Sequence, residues 1–331
     1  MINNPLISIV MSCYNEKEEW LKEAIESILN QTYNNIEFII ILDNPENKIL
    51  ENIILDYCSK DSRIVYSANE KNLGLVGSLN KAMNISRGQY IARMDADDFS
   101  YPDRIEEQLN FMLNNPNIDL VGTNMMYMDE DGKNLRYSGI FYYDINLIKE
   151  MLKYTNCFFH PTIMFKKSVI LNEKINGYRE IKYAEDYDLV CRLILNGFVL
   201  ANINKVLFKY RLRKNSISRS NEIFQFKVTK SIGNLYKNSI IQKRNLLNNK
   251  NLDILKYVQN DEKYENEYIK ANQVVANSNL YRENEKYLRW IVMKIYSILI
   301  SQYYRETFIR AQKIRTKLFI EKIKQIGKGD K

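Results

Sequence analysis

Residues 6–30 read LISIVMSCYNEKEEWLKEAIESILN. The first eight, Leu6–Cys13, are almost all apolar and rich in β-branched residues, the composition of a strand buried on both faces. From Lys17 the period changes: Trp20, Leu21, Ala24, Ile25, Ile28 and Leu29 recur at helical spacing as far as Asn30. A doubly buried strand followed at once by an amphipathic helix is the opening half of a βαβ unit.

The pattern repeats outward from there. Ile36–Leu42 (IEFIIIL) reads as a second buried strand ended by Asp43-Asn44-Pro45, and Asn47–Tyr57 as a helix. Arg63–Ser67 reads as a strand, Leu75–Ile85 as a helix and Gln89–Met94 as a fourth strand. Alternation at this spacing predicts right-handed crossovers and a mostly parallel sheet, with ligands at the carboxyl ends of its strands. Past Asp103 the texture changes. Arg104–Asn114 reads as a helix capped by Asp103, and Ile118–Met128 as a strand turned by Asp129-Glu130-Asp131-Gly132. Tyr183–Asn196 reads as a helix stopped by Gly197, and Val199–Tyr210 as a further strand.

From about Asn221 the sequence is helical throughout, with three glycines and no proline in its last 111 residues. Those residues hold 22 Lys and Arg against 11 Asp and Glu, whereas the first 220 hold 26 against 29. A near-neutral front and a basic tail imply different partners. The expected organisation is a domain over 1–220 and a basic helical region over 221–331. Within the first, the strand–helix alternation covers about 1–100 and the changed texture about 101–220.

Composition removes several function classes. At 45% apolar and 27% charged residues, the chain is ordinary for a globular protein. No run reaches the ~18 apolar residues of a membrane span, and Met1–Pro5 lacks the basic start of a signal peptide. Cys13, Cys58, Cys157 and Cys191 have no metal-type spacing and are expected as free thiols in a reducing cytosol. The single histidine, His160, removes multi-histidine zinc sites. Without a G-x-S-x-G elbow it also leaves serine-hydrolase chemistry unsupported.

The chemistry is concentrated at Tyr90–Asp98, YIARMDADD. A buried strand delivers Asp95, Asp97 and Asp98 into a loop closed by Pro102. So much negative charge at a strand end is costly unless neutralised, and Mg²⁺ or Mn²⁺ with open positions for phosphate oxygens is a natural partner. A solvated acidic turn is the plain alternative.

Several motifs in order carry a resemblance: Ser8–Glu16 (SIVMSCYNE), Ser27–Tyr33 (SILNQTY), Asn72-Leu73-Gly74, Arg87–Asp98 (RGQYIARMDADD) and Ala184–Leu189 (AEDYDL). The chain resembles the family 2 glycosyltransferases, inverting sugar-transfer enzymes of the GT-A fold, from Pro5 to about Ser218. The resemblance implies an α/β fold with a mixed, mostly parallel, Rossmann-like sheet flanked by helices, here with a helical C-terminal extension. It implies that Ser12, Tyr14 and Glu16 hold the base and ribose of a nucleotide and that Asp43 contacts the same group. The sequence departs from the family after Asp43, where Asn44-Pro45-Glu46-Asn47 replaces a second acid and Gly-Ser. Lys81 and Asn72 flank the third crossover, either as donor contacts or as a solvated helix face and turn.

By the same resemblance, Asp97 is the direct metal ligand, Asp95 contacts ribose or a metal-bound water, and Asp98 shares the metal or orients the sugar. Arg93 is expected as an ion-pair partner of these acids. An inverting displacement needs one general base, and Asp186 of the Glu185-Asp186 pair is the expected one. Glu185 would bind acceptor hydroxyls. The plain reading of the pair is helix N-terminal electrostatics. His160 either touches the acceptor or is structural. Arg211 or Arg213, before Asn215-Ser216-Ile217-Ser218, is expected to face the diphosphate.

In the tail, Trp290–Tyr304 is apolar and aromatic, and Arg305–Lys324 places basic residues among Phe308, Ile309, Ile314, Leu318, Phe319 and Ile323. A basic amphipathic helix can lie on an anionic membrane, pack on the catalytic domain or pair with a second subunit. Nucleic-acid binding, suggested by the pI of about 9.0, has no motif behind it.

The expected function is therefore metal-dependent transfer of a hexose from a nucleotide sugar, UDP-linked, to a glycan or lipid-linked glycan in capsule or lipopolysaccharide synthesis. The expected location is cytoplasmic, peripheral on the inner face of the plasma membrane. Two alternatives stand beside it. A nucleotidyltransferase would want a glycine-rich phosphate loop where Ser12-Cys13-Tyr14-Asn15 stands. A membrane or nucleic-acid adaptor would act through the basic helices.

Overall fold

The computed structural model describes residues 4–138, 145–213, 221–248, 254–258, 262–283 and 286–329. Residues 1–3, part of the N-terminal reading, and the loop 215–218 lie outside the described residues. The chain divides into two compact units, residues 1–220 with 232–252, and residues 221–231 with 253–331.

The first unit is built on strands β1 (Ile7–Cys13), β2 (Ile36–Leu42), β3 (Ile64–Ala68) and β4 (Tyr90–Asp95), joined by helices α1 (Glu18–Leu29), α2 (Lys48–Lys60) and α3 (Gly74–Ile85). All four strands are parallel, in the order β3-β2-β1-β4. The chain builds twice to one side of β1 and then crosses to the other, so the loops after β1 and β4 part above the sheet. That is where an open α/β sheet has a crevice. Every residue of β2 is buried, and of β1 only Ser12 is half-buried, as the apolar runs require.

After β4 the sheet turns mixed. The elements in order are β5 (Phe99–Ser100), α4 (Arg104–Asn114), β6 (Leu120–Met128), β7 (Asn134–Tyr137), α5 (Ile145–Met151), β8 (Met164–Lys166), α6 (Lys167–Ile170), α7 (Glu185–Leu195) and β9 (Leu200–Arg211). β8 lies antiparallel between β4 and β6, and the full order is β3-β2-β1-β4-β8-β6-β9-β5, with β7 on β6. The D-G turn joins β6 to β7, with Gly132 at φ +83°. Gly197 at φ +89° follows α7, where a left-handed residue ends a helix.

Two polar clamps explain motifs that carry no obvious chemistry. Glu37 is buried inside β2 and accepts from Ser8 Oγ (2.5 Å), Arg87 N (2.5 Å) and Arg87 Nε (2.8 Å). Burial alone would raise its carboxyl, but Ser8 and Arg87 outweigh that and hold it below its ordinary value. A Cβ on the adjoining Gly88 would lie 2.6 Å from Ser8 N, so the Arg-Gly pair is fixed by packing. Gln31 donates to Ser27 O and Tyr101 O (2.8 Å each) and accepts from Ile105 N (3.1 Å), tying the end of α1 to the loop after the acids. Asp103 precedes α4 but its side chain makes no capping bond, against expectation; Gln31 satisfies an N–H of that first turn instead.

Helices α8 (Glu222–Gln242), α9 (Glu262–Glu283), α10 (Tyr287–Ile300) and α11 (Gln302–Gly329) follow. The core of the second unit is aromatic: Phe226, Tyr264 and Tyr303, with Tyr268 and Tyr304 against them. The hydroxyls of Tyr303 and Tyr268 each donate to a different oxygen of Glu222, both at 2.7 Å. Among the described residues no helix is long and apolar enough to cross a membrane.

Candidate active site

The crevice is defined by register: Ser12 on β1 lies beside Asp95 on β4. From β1 the chain continues through Tyr14, 43% exposed, to Glu16, whose Oε2 accepts from Tyr14 N at 2.7 Å. Burial raises the Glu16 carboxyl, with Asp95 adding to the rise and Arg213 opposing it. Ser12 and Glu16 thus stand beside the acidic strand end.

Asp43 ends β2 on the same edge. It is buried, and its Oδ1 accepts from Asn69 Nδ2 (2.7 Å) and Leu73 N (2.8 Å). Asn72 accepts from Gly74 N at 2.8 Å, shaping the turn that aims Leu73 N–H at Asp43. Lys81 donates to Ala68 O and Asn69 Oδ1, so it braces this network from α3. The departure at Asn44–Asn47 also has a structural account. Asn44 and Asn47 both donate to Asn15 Oδ1 (2.7 and 3.1 Å), and Asn47 caps α2 through Leu50 N. Asparagines cross-link the two loops that flank Tyr14.

At the acidic strand end, Arg93 pairs with Asp95 in a fork, NH2 to Oδ1 at 2.6 Å and NH1 to Oδ2 at 3.2 Å. Arg93 is itself buried. Buried Arg104 donates to Arg93 O at 2.5 Å and stacks on Phe208, bracing β4 from behind. Sequence reading placed Arg104 only as a helix residue; its full burial has no signature in the periodicity. Asp97 is pushed up to about 7, by burial first, with Asp95 and Glu16 adding and Arg213 opposing. Arg213 Nε lies 2.9 Å from Asp97 Oδ2.

Asp98 is fully buried and raised well above the ordinary range by burial, then by Asp97 and Asp95. Its Oδ1 accepts from Arg211 N at 2.8 Å. Arg211 itself, expected to face the diphosphate, is buried. Its Nε donates to Asp97 O (2.8 Å) and its NH1 to Glu130 O (2.9 Å), while NH2 pairs with Glu23. It also stacks on Trp20. A guanidinium so committed holds the acidic loop in place, and Arg213, two residues on, is the one that turns toward the acids.

These side chains suit a divalent cation. Asp98 Oδ2 is buried with no hydrogen-bond partner; Asp95 raises the Asp97 carboxyl, and Asp97 and Asp95 both raise that of Asp98. Hard oxygen donors are what Mg²⁺ and Mn²⁺ take. Among the described residues no three His, Cys, Asp or Glu side chains form a ready cage. A cation here would use one or two carboxylates, Asp97 foremost, and complete its shell with phosphate oxygens and water.

On the far side, α7 begins with Glu185 and Asp186. Asp186 Oδ2 accepts from Asn156 Nδ2 at 2.8 Å and Oδ1 from Tyr187 N at 2.7 Å. Burial raises its carboxyl, while Arg93 and these bonds oppose the rise. Glu185 reaches about 7, by burial and then by Asp186, with Asp95 adding and Arg93 opposing. His160 stands between, its Nε2 2.8 Å from Tyr178 Oη and its Nδ1 3.7 Å from Glu185. Burial and then Arg93 push its pKa well down, so the ring is neutral. Tyr178 and Asn156 were absent from the sequence-derived set because neither belongs to a motif. Asp188, two residues past Asp186, points elsewhere: it is fully buried between Arg179 and Arg192.

Residues 8–171 match the family described as Glycosyl transferase family 2. An uncharacterized glycosyltransferase of Methanocaldococcus jannaschii is 42% identical over 220 residues, 66% of this chain and 75% of that protein. The O-antigen biosynthesis glycosyltransferase WbnJ of Escherichia coli is 34% identical over 221 residues, 65% of this chain and 83% of its own. Staphylococcus aureus TarS 1–349, solved with UDP-GlcNAc, shares the fold: TM-score 0.56, 17% identity, 97% of this chain and 92% of that one. So does a Pyrobaculum calidifontis mannosyltransferase solved with GDP-Man and Mn²⁺: TM-score 0.55, 12% identity, 97% and 88% covered. With the GT-A fold in place and relatives this similar over most of their own length, the chain belongs to glycosyl transferase family 2 and is a glycosyltransferase.

Proposed function

We propose that this glycosyltransferase moves a hexose, with inversion, from a UDP-linked donor to a glycan acceptor of a surface polysaccharide. The observation that carries the reading is the field of Arg93. Asp95 forms a forked pair with its guanidinium, and Glu185 and Asp186 also feel its charge, so both acid groups gather round one buried cation. A single displacement needs that arrangement: a leaving group held on one side and a base on the other.

Asp43, Tyr14 and Ser12 hold the nucleoside, and Asp95 and Glu16 the ribose side of the diphosphate. Arg213 faces the diphosphate, where negative charge grows as the glycosidic bond breaks. A cation held by Asp97, with Asp98 close by, would neutralise the same charge as a Lewis acid. Asp186 takes the proton from the attacking acceptor hydroxyl; Asn156 orients the carboxylate, and burial makes it a stronger base than a free one. Glu185 binds a neighbouring acceptor hydroxyl. Support for a nucleotide-sugar donor comes from the UDP-GlcNAc and GDP-Man bound to the two fold neighbours, and for a metal from the Mn²⁺ of the second. The O-antigen role named for WbnJ supports the acceptor class. For the chain as a whole we place it at the cytoplasmic side, acting on a lipid-linked glycan.

The test is release of UDP or GDP from a panel of nucleotide sugars, with Mn²⁺, Mg²⁺ or EDTA and with added glycan acceptors. Wild type runs beside Asp97→Ala and Asp186→Asn. Turnover of one donor that EDTA and both substitutions abolish supports the assignment. Turnover indifferent to all three removes the metal and base roles.

A further inference from the structure

Helix α10 is turned inside out for a helix that merely packs. At 100° per residue, Leu288, Ile291, Val292, Ile295 and Leu299 fall within an arc of about 100°. All five are exposed, Leu288 at 77% and Leu299 at 65%. Ser297, on the opposite side, is the buried residue of the helix. A helix covering a core does the reverse. On α11, Phe308, Phe319 and Ile323 share one exposed stripe, with Phe319 at 65%.

Charge decides what covers such a face. Residues 286–329 carry eleven Lys and Arg against only Glu306 and Glu321. A second copy docking here would bring like charge to like charge. A nucleic acid would satisfy the cations and leave the apolar arc in water. An anionic lipid surface satisfies both, because apolar side chains seat at the acyl boundary while basic ones meet the headgroups. No described helix is long and apolar enough to cross a bilayer, so the helices would lie along its surface.

We infer that α10 and α11 dock on an anionic lipid surface, with Leu288, Ile291, Val292, Ile295 and Leu299 as the inserted face. The inference goes beyond the transfer reaction and does not depend on it.

The experiment is flotation of the full chain with vesicles of phosphatidylcholine, alone or mixed with phosphatidylglycerol. Binding is expected to be about tenfold stronger to the anionic vesicles and to fall in high salt. Ile291→Ser with Ile295→Ser is expected to lower it about a hundredfold, as two apolar side chains no longer enter the lipid. Both positions are exposed, so circular dichroism should be unchanged. Arg315→Gln with Lys317→Gln should reduce the preference for anionic lipid. Equal binding to both vesicles, or none to either, overturns the inference. So does a dimer in sedimentation that the double serine variant converts to monomer, since the face would then belong to a second copy. Tight RNA binding that the serine variant leaves intact while vesicle binding is absent also overturns it.

Discussion

Arg213 Nε lies 2.9 Å from Asp97 Oδ2, so the cation proposed to face the diphosphate is paired with the carboxylate proposed to hold the metal. The pair is partly open, with 37% of the Arg213 side chain exposed. Its attraction lowers the Asp97 carboxyl against the rise that burial imposes. A donor with its own metal would take over Asp97 and leave the guanidinium for phosphate oxygens.

Arg213→Ala is therefore expected to raise the KM for the nucleotide sugar about tenfold to a hundredfold, the range of a lost charged hydrogen bond. Arg213→Lys should recover part of it. Donor titration at saturating acceptor measures this. An unchanged KM would assign Arg213 to Asp97 alone.

Asp186→Asn keeps the shape of the side chain and one of its two accepted hydrogen bonds while removing its basicity. The expected result is a fall in kcat of about 10²–10⁴ with donor affinity nearly unchanged. Calorimetry with UDP beside steady-state rates separates the two quantities. Equal loss of binding and rate would point to a structural role at the start of α7.

Asp188 provides the contrast within the same motif. Its Oδ2 accepts from Arg192 Nε (2.7 Å) and Arg179 Nε (3.0 Å), and Arg192 spends its other nitrogens on Ile175 O and Gly177 O. Removing the acid leaves buried cations uncompensated. Asp188→Ala should cost about 3–5 kcal/mol in urea unfolding, far more than Asp186→Asn. UDP affinity of the folded fraction should not change.

These cases show what the sequence could and could not disclose. The parallel half of the sheet was legible because β1 and β2 are apolar on both faces, and the acids at the end of β4 stand out by charge. Acid motifs do not say which way each side chain points: Asp186 and Asp188 look alike in sequence and face different environments. Arg211 and Arg213 could not be separated either, since only the fold shows the first spent on Asp97 O, Glu130 O and Glu23. Asn156 and Tyr178 reach the site from loops without periodicity. No local pattern marks them.

The last prediction concerns pH. Glu185 rises from its ordinary 4.5 to about 7, through burial and then through Asp186. Between those values the folded chain binds more protons here than the unfolded chain does. By linkage, stability then falls as pH rises: the contribution is fully present below about 4.5 and lost by about 7. Glu185→Gln is neutral throughout and lacks this loss. Without divalent cation, the melting temperature of the variant minus that of the wild type should grow from pH 5 to about 7 and then level off. Thermal unfolding of both proteins at half-unit pH steps reads this difference directly. A constant difference over that range would mean that Glu185 stays ionised, hydrated and apart from Asp186.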